Sequence, residues 1–391
     1  MKKITVILMS LALVFSFGFG ALANNGLKNE AEYAIQPKTD IDVNAKSALL
    51  MEAGTGEILA AQNQNERAAL ASVTKIMTLL LVMEAIEDGR ISVSDRIIIS
   101  DYAASMGGSQ VFLEEGESMD VEELVKCAVI ASANDAAVAL AEHVGGSEKN
   151  FVSMMNARAR ELKMENTNFE NVTGLDDTAK NHYSSALDIG IMSRELIKYD
   201  LIKKYSSLWQ DTIRNGEFTL TNTNRLVRYY DGCNGLKTGS TDKAGYCISA
   251  TAERDGMTLI AVIMGAESRD VRNSEARGLL DYGFSNYAVY SAEEKALENV
   301  PVHNGIKEYT TVYSKAFSRI IPKNKLKNVE AIYEIPKNVS APIKSGDVVG
   351  KVTYKLDGSI LGTTDIFVAE DIAKIKYFEV FSKIIQSIFM G

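Results

Sequence analysis

Along residues 72–87 apolar side chains recur at three- and four-residue steps: Ile76, Leu79, Leu80, Met83 and Ile86. That spacing predicts a helix, and Asp88-Gly89 ends it. The same periodicity predicts helical structure over 120–143, broken near Ser132, then over 148–162 and 185–198, with Gly145-Gly146-Ser147 punctuating the first pair. Earlier, Ser47-Ala48-Leu49-Leu50-Met51 and Glu57-Ile58-Leu59-Ala60 flank the turn cluster Ala53-Gly54-Thr55-Gly56, which reads as two short strands. After residue 210 the pattern changes. Residues 245–252 and 257–264 are apolar and rich in β-branched side chains, and Arg254-Asp255-Gly256 between them signals a hairpin. Residues 273–282 read as helix. Strands at both ends of this region, with helices between, predict an α+β fold: an antiparallel sheet with helices packed on it.

Beyond about residue 295, alternating apolar and polar positions over 300–312, 329–335 and 348–356 predict a smaller all-β domain. The last stretch differs again. Tyr377, Val380, Phe381, Ile384, Ile385, Ile388 and Phe389 share one helical face, with Lys376, Glu379, Lys383, Gln386 and Ser387 opposite. Such a helix is too short and polar to span a bilayer but suits a membrane surface. At the other end, basic Met1-Lys2-Lys3, an apolar run over 4–19 and Ala21-Leu22-Ala23 form a secretory signal, leaving Asn24 first after cleavage. The expected organisation is a signal peptide over 1–23, a main domain over 35–290, a β domain over 296–372 and an amphipathic membrane-associating helix over 374–391.

The 391 residues are 46% hydrophobic and 24% charged, which excludes neither class of soluble domain but argues against disorder and against a multi-span membrane protein. A net charge of -9 argues against nucleic acid as a partner. Cys127, Cys233 and Cys247 are too few and too odd in number for a disulfide framework and read as small buried hydrophobes, with one bridge left open. His143, His182 and His303 form no metal-binding spacing, so no metal or other cofactor is implied. There is no G-x-S-x-G elbow, so a serine nucleophile here would give its proton to something other than histidine.

Three polar clusters remain as candidate chemistry. Ser72-Val73-Thr74-Lys75 opens the first helix and places Ser72 and Lys75 on one face, where free backbone N–H groups can hold an oxyanion. A neutral lysine beside a serine can activate it. Ser132-Ala133-Asn134 interrupts an apolar helical segment; its side chains either enter a site or cap the next helix. Lys237-Thr238-Gly239-Ser240-Thr241 combines a cation, hydroxyls and a glycine, suited to a carboxylate and to close backbone approach. Singly each is weak, and Ser240 and Lys243 form a second serine–lysine pair by chance. Together, in the order S-x-x-K, S-x-N, K-T-G, they match the pattern of penicillin-binding proteins and class A β-lactamases, with Ala133 where aspartate is common.

The chain resembles the low-molecular-mass penicillin-binding proteins, the serine D-alanyl-D-alanine carboxypeptidases, in a form like those of spore-forming Gram-positive bacteria. The likeness extends to Met106-Gly107-Gly108-Ser109-Gln110, Asn171-Val172-Thr173-Gly174-Leu175 and His182-Tyr183-Ser184-Ser185-Ala186. It implies a β-lactamase/transpeptidase-like catalytic domain. It also implies the roles: Ser72 as nucleophile, Lys75 as general base, and Ser132 and Lys237 as proton relay to the leaving D-alanine. Asn134 would bind the substrate amide, and Thr238 and Arg272 the terminal carboxylate. The oxyanion would be held by the backbone N–H groups of Ser72 and Ser240, with Gly239 leaving room for close approach of the substrate backbone. The implied substrate is the peptidoglycan stem peptide, with β-lactams as covalent inhibitors, on the outer face of the cytoplasmic membrane. Two positions depart from the family, Leu70 for a proline and Ala60 for a tyrosine, both expected near the cleft. No E-x-x-L-N deacylation loop lies between Asn134 and Lys237, which speaks against a lactamase; an endopeptidase, a transpeptidase or a non-catalytic penicillin sensor are the rivals.

Overall fold

The computed structural model describes residues 33–38, 41–176 and 179–377. The signal peptide expected over 1–23, and the terminal helix past Tyr377, lie outside them. The main domain is built on five antiparallel strands: β1 (Ser47–Glu52), β2 (Ile58–Gln62), β3 (Cys233–Thr241), β4 (Gly245–Arg254) and β5 (Met257–Ala266). Their order is β2-β1-β5-β4-β3. Strand β1 pairs with β5 across the length of the chain, Leu50 opposite Ala261, so the sheet closes around the inserted helices. The β4–β5 turn has φ of 50° at Asp255 and 74° at Gly256, the left-handed pair that a two-residue hairpin requires.

Alternation along β1 separates two cores. Leu49 and Met51 face one, Ala48 and Leu50 the other. The first core holds helices α1 (Lys75–Glu87), α2 (Asn134–Gly145), α3 (Glu148–Glu161) and α4 (Ala186–Leu196); the second is covered by α5 (Arg269–Asn286). Helix α1 is buried on nearly every side, since Leu79, Leu80, Leu81 and Val82 are all in the core. It is the central helix of the domain rather than an amphipathic surface helix. Helix α5 starts earlier than its apolar pattern suggests because the Ser268 side chain caps it, accepting from the Val271 N–H.

The C-terminal region has a six-stranded sheet with a core of its own, including Val312, Val352, Tyr354 and Ile366. The β-like segment expected over 300–312 is two strands, Lys295–His303 and Tyr309–Ser314, joined by a turn with Asn304 at φ 58°. Among the described residues no helix is long and apolar enough to cross a membrane.

Candidate active site

Ser72 sits in a 3₁₀ turn, Ala71–Thr74, that leads directly into α1. The turn is tightly constrained. Ala71 holds φ at 47°, unusual for a residue with a side chain. Gly174, at φ +83°, packs so closely on it that a Cβ there would fall 1.8 Å from the Ala71 carbonyl oxygen. From the other side a Cβ on Gly239 would lie 2.8 Å from the Ser72 nitrogen and 2.9 Å from the Leu70 oxygen. Glycine at 239 is therefore what lets β3 pass over the Ser72 turn.

Lys75 is fully buried one turn on. Its Nζ donates to Ser72 Oγ (3.1 Å), Asn134 Oδ1 (2.5 Å) and the Thr173 carbonyl (3.0 Å). Burial lowers its pKa to about 7, against an opposing pull from Asp135. A substantial neutral fraction therefore exists at neutral pH, hydrogen-bonded to the serine it would deprotonate.

The helical segment 120–143 breaks as its sequence suggests, and the break builds the second group. Val121–Lys126 is α-helical, Cys127–Ala131 winds as a π-turn, and Ser132 takes the left-handed conformation at φ 63° before α2 begins at Asn134. Such π-turns frequently mark functional positions. Asn134 ties the site together: Oδ1 accepts from Lys75, and Nδ2 donates to the Gly107 carbonyl (2.7 Å). Next to it the buried Asp135 carboxylate accepts from the Val111 and Leu113 N–H groups (3.0 and 3.1 Å), fixing the loop over the cleft.

Strand β3 is the edge of the sheet and carries the third group. Lys237 is buried; Nζ donates to Ser132 Oγ and to the Thr238 carbonyl, both at 2.8 Å. Its pKa is held well below the ordinary lysine range by burial first, then by Lys75 and Arg272. The repulsion between the two lysines thus bears on Lys237, whereas Lys75 is neutralised by its own burial. Arg272, in the first turn of α5, is 3% exposed and donates through Nε and Nη2 to Asn273 Oδ1. Burial lowers its pKa only to about 10, so it remains a cation.

All nine residues singled out in the sequence meet here. Ser72, Ser132, Thr238, Gly239, Ser240 and Arg272 line one cleft of about 450 Å³; Lys75, Asn134 and Lys237 are packed beneath it. Several contributors carry no motif of their own. The Thr173 carbonyl holds Lys75, and the Thr223 hydroxyl lies 2.7 Å from that of Thr238. His182 Nδ1 accepts from the Glu170 N–H (3.0 Å), so its proton is on Nε2, which donates to Thr74 Oγ1 (2.7 Å); Thr74 in turn donates to the Ala71 carbonyl. With its pKa lowered to about 4 by burial, the ring is a neutral brace behind the Ser72 turn, bonded to Thr74 rather than to Ser72. Only the general likeness around Asn171 and His182 hints at these residues. Of the two departures, Leu70 is core beneath the turn, but Ala60 belongs to the core on the other face of the sheet, away from the cleft. The three cysteines are free and buried. Among the described residues no group of three or more His, Cys, Asp or Glu could hold a metal ion.

Comparison with known proteins agrees with this geometry. The D-alanyl-D-alanine carboxypeptidase family profile matches residues 32–268, and that of the penicillin-binding protein 5 C-terminal domain matches 284–374. The D-alanyl-D-alanine carboxypeptidase DacF of Bacillus subtilis is 40% identical over 381 residues, covering 96% of this chain and 95% of that one. Penicillin-binding protein 5 from Haemophilus influenzae superposes with a TM-score of 0.71 at 34% identity, covering 86% of this chain and 99% of that one. Penicillin-binding protein D2 from Listeria monocytogenes, in its ampicillin-bound form, superposes at 0.58 with 30% identity, over 63% of this chain and 99% of that one. The chain belongs to the D-alanyl-D-alanine carboxypeptidases.

Proposed function

We propose that this protein removes the terminal D-alanine of peptidoglycan stem pentapeptides through an acyl-enzyme on Ser72. The observation that carries the reading is the buried Lys75 with its Nζ 3.1 Å from Ser72 Oγ at the start of α1. Neutral Lys75 takes the serine proton as Oγ attacks the penultimate carbonyl. The N–H groups of Ser72 and Ser240 receive the oxyanion. Ser132, bonded to Lys237, passes a proton to the leaving amine, whose carboxylate lies against Thr238 and Arg272; a guanidinium suits that group. Asn134 keeps a donor for the substrate amide. The test is full-length protein with a peptide ending in Lys-D-Ala-D-Ala: one D-alanine should be released per peptide. Stable penicillin labelling without any release would instead favour a sensor.

The acylation rate is expected to follow the neutral fraction of Lys75. A base must be unprotonated, so the rate rises through about pH 7 and levels above it. An acylation rate unchanged from about pH 5 to about pH 9 would remove Lys75 from that role.

Penicillin should acylate Ser72 and leave slowly. Among the described residues no Asp or Glu lines the cleft, so none of them offers a carboxylate to activate a deacylating water as in class A lactamases. Turnover of penicillin at lactamase-like rates would contradict this. The segment 374–391 we read as resting on the outer face of the cytoplasmic membrane, in keeping with a wall-peptide substrate; its first residues, Lys374 and Ile375, pair with Gly305 and Asn304 of the small domain.

A further inference from the structure

The cleft carries more positive charge than one D-alanine needs. Besides Arg272 its walls include Arg225 and Arg269, with Trp209 beside them and, among the described residues, no acidic one. Both arginines are exposed, and both lie close enough to Arg272 to lower its pKa. In the adjoining hollow Arg225 is accompanied by Asp270 and Arg277, whose charges offset each other. Arg269 and Arg272 are three residues apart in the first turn of α5, so they project from one helical face with Cβ atoms about 5–6 Å apart. Long arginine side chains on that spacing can reach two carboxylates of one leaving fragment, such as the α- and γ-carboxylates of a D-glutamate. Arg269 and Arg272 share the cleft with Thr238, against which the mechanism proposed above sets the leaving group.

We propose that Arg269, flanked by Arg225, forms a second anion subsite on the leaving-group side, and that the cleft prefers leaving amines bearing a second carboxylate over D-alanine alone. This rests on the carboxypeptidase reading above and extends its substrate class to acidic leaving fragments, as in cross-linked wall peptides. The bonds are those of the same reaction: the acyl carbon moves from the leaving nitrogen to Ser72 Oγ, and the nitrogen takes the proton. Trp209 supplies an apolar wall for the methylenes between the charges.

The test compares two peptides that differ only in charge, one ending in D-Ala-D-Glu and one in D-Ala-D-Gln, with D-Ala-D-Ala as reference. The full-length protein should favour the D-Glu peptide over the D-Gln peptide in kcat/KM by roughly three- to tenfold at low salt, and less at high salt. Arg269→Ala, and more so Arg225→Ala with Arg269→Ala, should bring that ratio towards one. Equal rates for the two peptides in the unmodified protein, or a ratio untouched by the substitutions, would overturn the subsite while D-alanine release continued. If none of the three peptides is cut, the carboxypeptidase reading falls and the subsite falls with it.

Discussion

Ser72→Ala is expected to lower D-alanine release by on the order of 10⁶-fold and to abolish covalent labelling by penicillin. The size of the loss follows from where Ser72 sits. Its Oγ accepts the hydrogen bond that links it to Lys75 at the start of α1; the other serine bonded to a buried lysine, Ser132, has Lys237 as its partner and is assigned to the leaving group instead. The chance pair Ser240 and Lys243 offers no substitute, because Lys243 is exposed in the turn after β3, without the enclosure that surrounds Lys75. The substitution should leave the fold alone. The turn is held without the Ser72 side chain: the Val73 N–H donates to the Leu70 carbonyl, and Thr74 Oγ1 to the Ala71 carbonyl. The Arg272 and Thr238 side of the cleft is untouched, so the variant should still bind peptide reversibly. Loss of turnover with retained binding and an unchanged melting temperature is the expected result. Near-normal release would mean that the nucleophile is another residue.

The motif residues were legible because their chemistry needs particular side chains at particular places: a serine one turn before a lysine, a glycine where β3 crosses the turn, a polar break inside an apolar helix. The supports were not, because they act through groups every residue has or through distant pairing. Thr173 contributes its carbonyl to Lys75, which any residue could do at that position. Strand β3 reads poorly as a strand, since Asn234, Gly235, Lys237, Gly239 and Ser240 are weak strand formers; it is a strand because β4 pairs along it, Lys237 opposite Ser249. Arg272 falls just outside the 273–282 segment that the pattern reads as helix, because the helix starts with Arg269-Asp270-Val271, and the Ser268 cap marks that start. In helix α1 the periodic positions stand out, yet the residues between them are also apolar and also buried. Periodicity marks the side that faces a core, and is silent on whether a second layer covers the other.

Lys75→Met and Lys75→Arg are expected to slow acylation by roughly 10²–10⁴-fold each, the usual worth of a general base. The two fail for different reasons, which is what makes the pair informative. Methionine fits a buried apolar space and cannot take a proton. It leaves the Asn134 Oδ1 and Thr173 oxygen without their donor, costing roughly 1–3 kcal/mol each. It also removes an amine whose burial is unfavourable to its charge, a term worth about 1.4 kcal/mol for each unit of depression. These oppose each other, so the melting temperature should move little while the rate collapses. Arginine keeps a donor for Asn134 and Thr173 but holds its proton at every accessible pH. If Lys75 acted by hydrogen-bonding or by its charge, arginine would restore much of the rate. If it acts as the base, arginine is as slow as methionine, and the rise in rate through about pH 7 disappears in both. Acylation by a fluorescent penicillin, followed at several pH values for the unmodified protein and both variants, separates the two. A fast Lys75→Arg variant would leave the geometry standing and move the proton to the remaining buried amine, Lys237, which reaches the cleft through Ser132.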